Sequence, residues 1–317
     1  MRKFIVKTLL LLLPLLILAI STEYLLQQIP NDYSYKKNYL DKYSEKIQIL
    51  FLGSSHAYYG IDPVYFLQNT FNASHISQSL DFDLAILNKY QNNLDSVKII
   101  VLPISYFTLW SKLGNGAEAW RVKNYALYYG IKTKSMSNSF ELLDNNFAIN
   151  KDRLVNYYIK HKDNITCNYL GWGTNYNSKW KSDLQETGKT AAKRHTRDDI
   201  FSEKNAEVFE ENLKTLSLFS EFCNQRNIKL IFLTTPTYYT YRENLNTEQL
   251  NKTIETINDF INSHSNCYYF NWFEDTDFVA EDFFDADHLS EIGAEKLSRK
   301  LSQHVEIEIL TDKNASR

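Results

Sequence analysis

The chain has 317 residues, of which 44% are hydrophobic and 23% charged, an ordinary globular composition with enough apolar material for a core. At roughly 150 residues per domain, this length allows one large domain or two small ones. The formal net charge of -3 offers no basic field for nucleic acid, so we expect no nucleic-acid partner.

The first predicted element is an apolar helix at the N-terminus. Arg2, Lys3 and Lys7 precede an apolar run, which with its flanks reaches about 17 residues, the lower limit for spanning a bilayer. Cations on this side predict a cytoplasmic N-terminus and a domain outside the cytoplasm. We expect residues 1–27 to be an uncleaved, single-pass membrane anchor, because no small-x-small cleavage site is evident. A cleaved signal peptide is the competing interpretation.

After this helix, apolar runs alternate with amphipathic helices. Strands are predicted at 46–53, 97–107, 228–236 and 267–273, with a weaker one at 73–77, and helices at 82–94, 205–227, 247–265 and 290–305. Continuous apolar strands that alternate with helices indicate a parallel sheet covered on both faces. We therefore predict an α/β/α three-layer domain with a central parallel sheet, flavodoxin-like, over residues 28–317.

The first strand ends in Gly-Ser-Ser-His, residues 53–56. Ligands of parallel sheets bind outside the carboxyl ends of the strands, so this turn is in a position for chemistry. Gly53 allows a sharp turn, and we expect Ser55 at the start of a short helix that ends at Gly60. His56 is interpreted as structural or substrate-facing. An ordinary tight turn after a buried strand is the alternative.

The segment from about 108 to 200 breaks the alternation, and a stretch of this length is usually functional or a subdomain. We interpret it as an insertion over one end of the sheet. Its YLGWGTNYNSKW block makes Trp172 a candidate for contacting substrate. Near its end, Arg194 and His195 could hold an anionic sugar or belong to a solvated surface. The 22 tyrosines of the chain suit carbohydrate contacts, although packing explains most of them.

A serine nucleophile needs a base, and the base needs a group that fixes its tautomer. Asp285 precedes His288 by three residues in the loop before the last helix, where Ser290 is placed as N-cap. Capping alone would account for the aspartates, but it does not need a histidine. Asp285 and His288 are therefore candidates for the acid and the base of a catalytic triad with Ser55, and helix capping is the alternative. The three cysteines fit neither a metal site nor a disulfide framework, and no metal set is predicted.

These two motifs together resemble those of the GDSL/SGNH hydrolase superfamily, whose first block is an Asp-Ser turn after the first strand and whose last is Asp-x-x-His. The resemblance spans residues 47–303 without the insertion. It looks closest to the membrane-anchored branch that assists O-acylation of envelope polymers, similar to alginate acetylation proteins and the D-alanyl-lipoteichoic-acid transfer protein.

This resemblance implies an SGNH-type, serine-dependent acyl-ester hydrolase or O-acyltransferase that needs no cofactor. The implied substrate is a cell-envelope or capsular polysaccharide, and the implied partner is a multi-span membrane acyltransferase. The alternative is a catalytically degenerate, membrane-anchored glycan-binding or scaffold protein of an acylation or export complex.

The chain departs from the family pattern around the oxyanion hole. Ser54 stands where the family has aspartate, and the usual glycine and asparagine donors are not evident. We expect the Ser55 backbone N–H as the first donor, with Ser77, Ser79 or Ser105 standing in for the others. Because losing one donor costs about 10²–10³ in rate, these departures favour a slow esterase or a transferase.

Overall fold

The computed structural model of the chain describes residues 1–133, 140–142 and 147–315. The chain forms two compact units, of which one comprises Met1–Asn38 with Ala117–Ile165 and the other Tyr39–Gly116 with Thr166–Arg317. The predicted insertion at 108–200 is therefore divided between the two units.

The first unit contains the N-terminal helix α1 (Arg2–Gln27), the start of α2 (Asp32–Tyr43), α5 (Val122–Leu127) and α6 (Phe147–Leu154). Among the described residues, α1 is the one helix that is long and apolar enough to cross a membrane. Its apolar side chains are exposed as far as Leu25, whereas Leu26 and Ile29 are fully buried. The two ends of this segment therefore have different surroundings.

The second unit is built on five parallel strands in the order β2-β1-β3-β4-β5. The strands are β1 (Ile49–Phe51), β2 (Thr70–Asn72), β3 (Ile99–Pro103), β4 (Lys229–Thr234) and β5 (Cys267–Asn271). In register, Ile49 lies between Thr70 and Ile99. This is the flavodoxin-like order, in which the direction of winding reverses between β1 and β3. The predicted α/β fold with a central parallel sheet is confirmed.

Helices cover both faces of the sheet. They are α3 (Ser55–Gly60), α4 (Leu80–Tyr90), α7 (Leu184–His195), α8 (Glu203–Gln225), α9 (Tyr239–Arg242), α10 (Thr247–Ser263) and α11 (Glu291–Ala315). Successive strand residues point to opposite faces. Phe51 and Val101 therefore pack with Leu297 and Leu301 of α11 on one face. On the other face, Phe232 meets Phe260 of α10 at 5.7 Å between ring centroids.

The strands are shorter than predicted, and one is displaced. The weaker strand predicted at 73–77 is instead β2, which ends at Asn72. The Asn72 side chain accepts from the backbone N–H of Ser74, an asparagine turn that ends the extended run. The strand predicted at 97–107 ends at Pro103.

Candidate active site

The turn after β1 is shaped by Gly53. Its φ of 112° lies in the left-handed region, and a Cβ at this position would lie 3.0 Å from Cδ of Pro103. Its backbone N–H donates to Oδ1 of Asp83 at 2.7 Å, and the amide of Gln78 donates to the same oxygen. This turn places Ser55 as the first residue of α3, half-buried at the carboxyl end of β1.

Asp285 and His288 lie on an antiparallel hairpin, not in a loop as the sequence suggested. The hairpin consists of β6 (Phe283–Asp285) and β7 (His288–Leu289), and these two residues are paired across it. Asp285 Oδ1 accepts from the backbone N–H of Asp287 at 3.1 Å and of His288 at 2.8 Å. Two backbone N–H groups of the same turn therefore fix the orientation of the Asp285 carboxylate.

A continuous set of contacts joins the three residues predicted as a triad. His288 Nε2 lies 2.8 Å from Ser55 Oγ. On the other side of the ring, His288 Nδ1 lies 2.9 Å from Oδ1 and 3.1 Å from Oδ2 of Asp285. An Nδ1–H that donates to the carboxylate leaves Nε2 free to accept the serine proton. The structure thus brings Ser55, His288 and Asp285 together in the order that general-base catalysis requires.

Aromatic rings surround the His288 imidazole. Tyr176 stacks between Tyr59 at 3.7 Å and Phe284 at 4.0 Å, and its ring meets His288 edge-on at 5.3 Å. His56 approaches from another direction, with its ring edge-on to His288 at 4.9 Å. These contacts leave the imidazole 8% exposed and restrict its rotation.

The pKa of His288 reflects its two acidic neighbours. Burial lowers the pKa, but the charges and hydrogen bonds of Asp285 and Asp287 outweigh burial and raise it to about 10. Burial likewise raises the pKa of Asp287, but the charge of His288 and the proximity of the His288 and His56 imidazoles hold it well below its usual range. The two carboxylates therefore stabilise the charged form of His288, which is the form that it takes once it has accepted the serine proton.

The oxyanion-hole candidates differ in what their hydroxyl groups already do. The Ser79 hydroxyl donates to Asp81 Oδ1 at 2.5 Å, and the Ser105 hydroxyl lies 2.6 Å from Nδ1 of His56. Ser77 has φ of 59°, and its backbone N–H forms no hydrogen bond within the described residues. The Ser105 backbone N–H donates to Thr108 Oγ1 at 2.8 Å, so among the described contacts the main-chain N–H groups of Ser77 and Ser79 are the candidate donors without an acceptor.

Trp172 is held by the main chain around it. A Cβ on Gly171 would lie 2.1 Å from the Asn72 carbonyl oxygen, so only glycine fits there. Trp172 Nε1 donates to the carbonyl oxygen of Tyr59 at 2.6 Å. The half-buried indole lines a groove of about 640 Å³ beside α11, together with Tyr65, Arg299 and neighbouring residues, and none of the triad residues lines it.

Arg194 and His195 lie at the end of α7. Arg194 Nη2 is 3.5 Å from Asp287 Oδ2, and His195 Nδ1 is 2.8 Å from the Tyr241 hydroxyl. Burial lowers the pKa of His195 to about 3, so its imidazole is neutral at physiological pH. His195 therefore brings no charge for an anionic sugar, and Arg194 is the cation at this position.

Sequence reasoning assigned no site role to three residues that shape the arrangement. In the string DADH, helix capping accounts for Asp287 without any further role. Asp83 holds the nucleophile turn from the first turn of α4, where an acidic residue is ordinary. Tyr176 comes from the predicted insertion, and no residue pattern places it against His288. For Asp287 alone, its proximity to His288 in the sequence was a usable signal.

No model of a protein family matches the sequence, and no curated protein matches it. Among solved structures, a GDSL-like lipase from Bacteroides thetaiotaomicron is 10% identical, with 87% of this chain and 99% of that chain covered and a TM-score of 0.42. A candidate acylhydrolase from Bacteroides fragilis is 9% identical, with 86% and 95% covered and a TM-score of 0.41. Likeness this distant carries no functional conclusion, so the function must be inferred from the residues of this chain.

Proposed function

We propose that the protein is a membrane-anchored serine acyl-ester enzyme, either an esterase or an O-acyltransferase. The observation that carries this proposal is the contact chain from Asp285 through His288 to Ser55, at the carboxyl end of β1. Ligands of sheets with this strand order bind beside the strand after which the order reverses, and Ser55 follows that strand.

The chemistry follows from the geometry. His288 Nε2 takes the Ser55 proton as Oγ bonds to the acyl carbon, and the carbonyl electron pair moves to oxygen. The backbone N–H of Ser55, together with that of Ser77, stabilises the oxyanion. When the tetrahedral intermediate collapses, His288 returns the proton to the leaving alcohol. Water or a sugar hydroxyl then attacks the acyl-enzyme, so hydrolysis and transfer use the same residues.

The substrate we propose is a cell-envelope or capsular polysaccharide. The resemblance of the two motifs to the O-acylation branch supports it, as does the groove lined by Trp172 and Tyr65. The groove adjoins α3 through the Trp172–Tyr59 hydrogen bond. Tyr59 is four residues from Ser55, about 6 Å along a helix. A multi-span membrane acyltransferase is the partner we propose for the transfer reaction.

The anchor proposal draws on the C-terminal end of α1. The Glu23 carboxylate accepts from the backbone N–H groups of Glu141 and Leu142 at 2.9 and 2.8 Å, and Leu26 is fully buried. Removal of the whole of α1 would leave these groups without their partners, so the end of the helix from Glu23 onward belongs to the folded unit. We therefore favour an uncleaved anchor, with the N-terminus in the cytoplasm and the enzyme unit outside it.

Turnover of a small aryl acetate by the full-length protein in detergent tests the proposed activity. We expect Ser55→Ala to abolish turnover and His288→Ala to lower it severely, because the hydroxyl loses its base. A double variant of both residues should lose little more turnover than either single variant does, since triad members act as a unit. Ser54→Ala, adjacent to the nucleophile, is the matched control. Polysaccharide binding by a wild-type protein that turns over no ester would instead support the scaffold alternative.

A further inference from the structure

Asp287 is a second carboxylate beside the His288 imidazole. Its side chain is 1% exposed, and its Oδ1 lies 3.5 Å from His288 Nδ1. Its Oδ2 lies 3.5 Å from Arg194 Nη2 and 3.6 Å from His56 Nε2. A carboxylate this deeply buried is costly unless cations or donors face it. Asp287 is thus surrounded by groups that keep it ionised next to His288.

His56 connects Asp287 to the end of β3. Its Nδ1 lies 2.6 Å from the Ser105 hydroxyl, and the Asp287 carboxylate facing Nε2 favours the tautomer with its proton on Nε2. In that tautomer the Ser105 hydroxyl donates to Nδ1. Burial lowers the pKa of His56, so the ring stays neutral and adds no positive charge beside His288. A second series of serine, histidine and aspartate thus lies beside the triad, formed by Ser105, His56 and Asp287.

We propose that Asp287 is a positioning residue for the acyl-transfer step, a second counter-ion that lies between His56 and His288 and stabilises the His288 imidazolium. This inference rests on the proposed function. In the step concerned, the Ser55 O–H bond breaks and an Nε2–H bond forms on His288, while the Oγ electron pair forms the bond to the acyl carbon. The positive charge that appears on the imidazole then faces two carboxylates, with Asp285 as hydrogen-bond partner and Asp287 as the more buried charge.

The charged and titratable groups around His288 come from five parts of the fold. They are Asp285 and Asp287 on the hairpin, His56 and Tyr59 on α3, Arg194 and His195 at the end of α7, Tyr241 on α9, and Tyr176 from the segment before α7. Burial raises the pKa values of Tyr176 and Tyr241, so both remain neutral. The two carboxylates are therefore the negative charges to which the His288 proton responds.

The pH dependence of kcat/KM for a small aryl acetate tests this role in the full-length protein. Only neutral His288 accepts the serine proton, so activity rises with pH through its pKa. Asp287→Asn removes a charge that raises this pKa. We expect the rising limb of the kcat/KM–pH profile to move at least about one pH unit lower. We expect kcat on the high-pH plateau to fall ten- to a hundredfold. KM should stay within about a factor of two, because Asp287 does not contact substrate.

Three further variants complete the test. Asp287→Glu retains the charge and should restore the wild-type limb, whereas Asp282→Asn removes another buried aspartate, paired with Lys296, and should leave the limb in place. If Asp287→Asn does not fold, His56→Gln, which removes the imidazole that faces the Asp287 carboxylate at 3.6 Å, should move the limb in the same direction. A uniform loss of activity with no shift of the limb would overturn the proposal. Failure of the proposed function is distinguishable, because wild type itself would then show no turnover.

Discussion

Ser77 holds a backbone conformation that a residue with a side chain rarely adopts. Its φ of 59° costs on the order of 1 kcal/mol relative to glycine, and such strain often marks functional positions. His75, two residues earlier, donates its backbone N–H to the Gly53 carbonyl, so this loop packs against the nucleophile turn. The strain at Ser77 is consistent with a loop set to present a main-chain N–H.

The first prediction separates main-chain from hydroxyl donors. Ser77→Gly keeps the backbone N–H, removes the hydroxyl and relieves the left-handed strain. We expect it to retain aryl acetate turnover within about threefold and to raise Tm slightly. A loss of about 10²-fold, the usual cost of one oxyanion donor, would show instead that the Ser77 hydroxyl is the donor.

At the scale of single residues, the sequence allowed Ser55, His288 and Asp285 to be selected, because the chemistry of a nucleophile demands a base and a tautomer-fixing acid. The sequence did not allow the residues that surround these three to be predicted. The roles of Asp83 and Tyr176 depend on contacts between segments distant in the chain, and aspartate in a first helical turn or tyrosine in a loop carries no signal of such contacts.

Among the elements, the segment around Trp172 connects the predicted insertion to α3 and β2. Gly173 donates its backbone N–H to the Tyr58 carbonyl at 2.8 Å, and Asn72 donates to the Leu170 carbonyl at 2.9 Å. The indole is therefore a rigid part of the groove wall, which is the form in which aromatic rings contribute most to recognition.

The second prediction concerns this groove. Trp172→Ala should weaken binding of polysaccharide extracted from the envelope of the producing organism at least about tenfold, because a large preorganised apolar surface is lost. Trp172→Phe should lose less binding affinity than Trp172→Ala. Trp180→Ala is the matched control, since Trp180 is 70% exposed and does not line the groove. Unchanged binding by a folded Trp172→Ala protein, measured by calorimetry, would contradict the groove assignment.

Elements with strong patterns were predictable and those defined by a few residues were not. The apolar runs that became β1, β3, β4 and β5 identify a parallel sheet by themselves. Strand β2 was misplaced because an asparagine turn, not a change in hydropathy, ends it. The β6–β7 hairpin was missed because β7 has two residues, too few for any alternating pattern to appear.

On the scale of the whole molecule, the division into two units was beyond sequence reasoning. The first unit joins residues 1–38 to residues 117–165, and one of its links is a Glu23 carboxylate that accepts from backbone N–H groups. Every residue type except proline has a backbone N–H, so such a link leaves no trace in the composition of either segment.

The third prediction follows from this unit. If α1 is retained as an anchor, the mature protein purified from the membrane fraction should still contain residues 1–27, as intact mass spectrometry would show. A reporter that is active only outside the cytoplasm should be active when fused after residue 40. A mature N-terminus near residue 21, or activity of a cytoplasm-only reporter at that fusion point, would contradict the anchor and its orientation.

The central claim is that Ser55 is a nucleophile activated by His288, and covalent labelling tests it most directly. Full-length protein treated with a fluorophosphonate should gain one adduct, which peptide mass spectrometry should map to Ser55. Labelling should disappear in Ser55→Ala and fall severely in His288→Ala, while Ser54→Ala should label almost as wild type does. An adduct on any other serine, or no adduct on folded wild-type protein, would contradict the account.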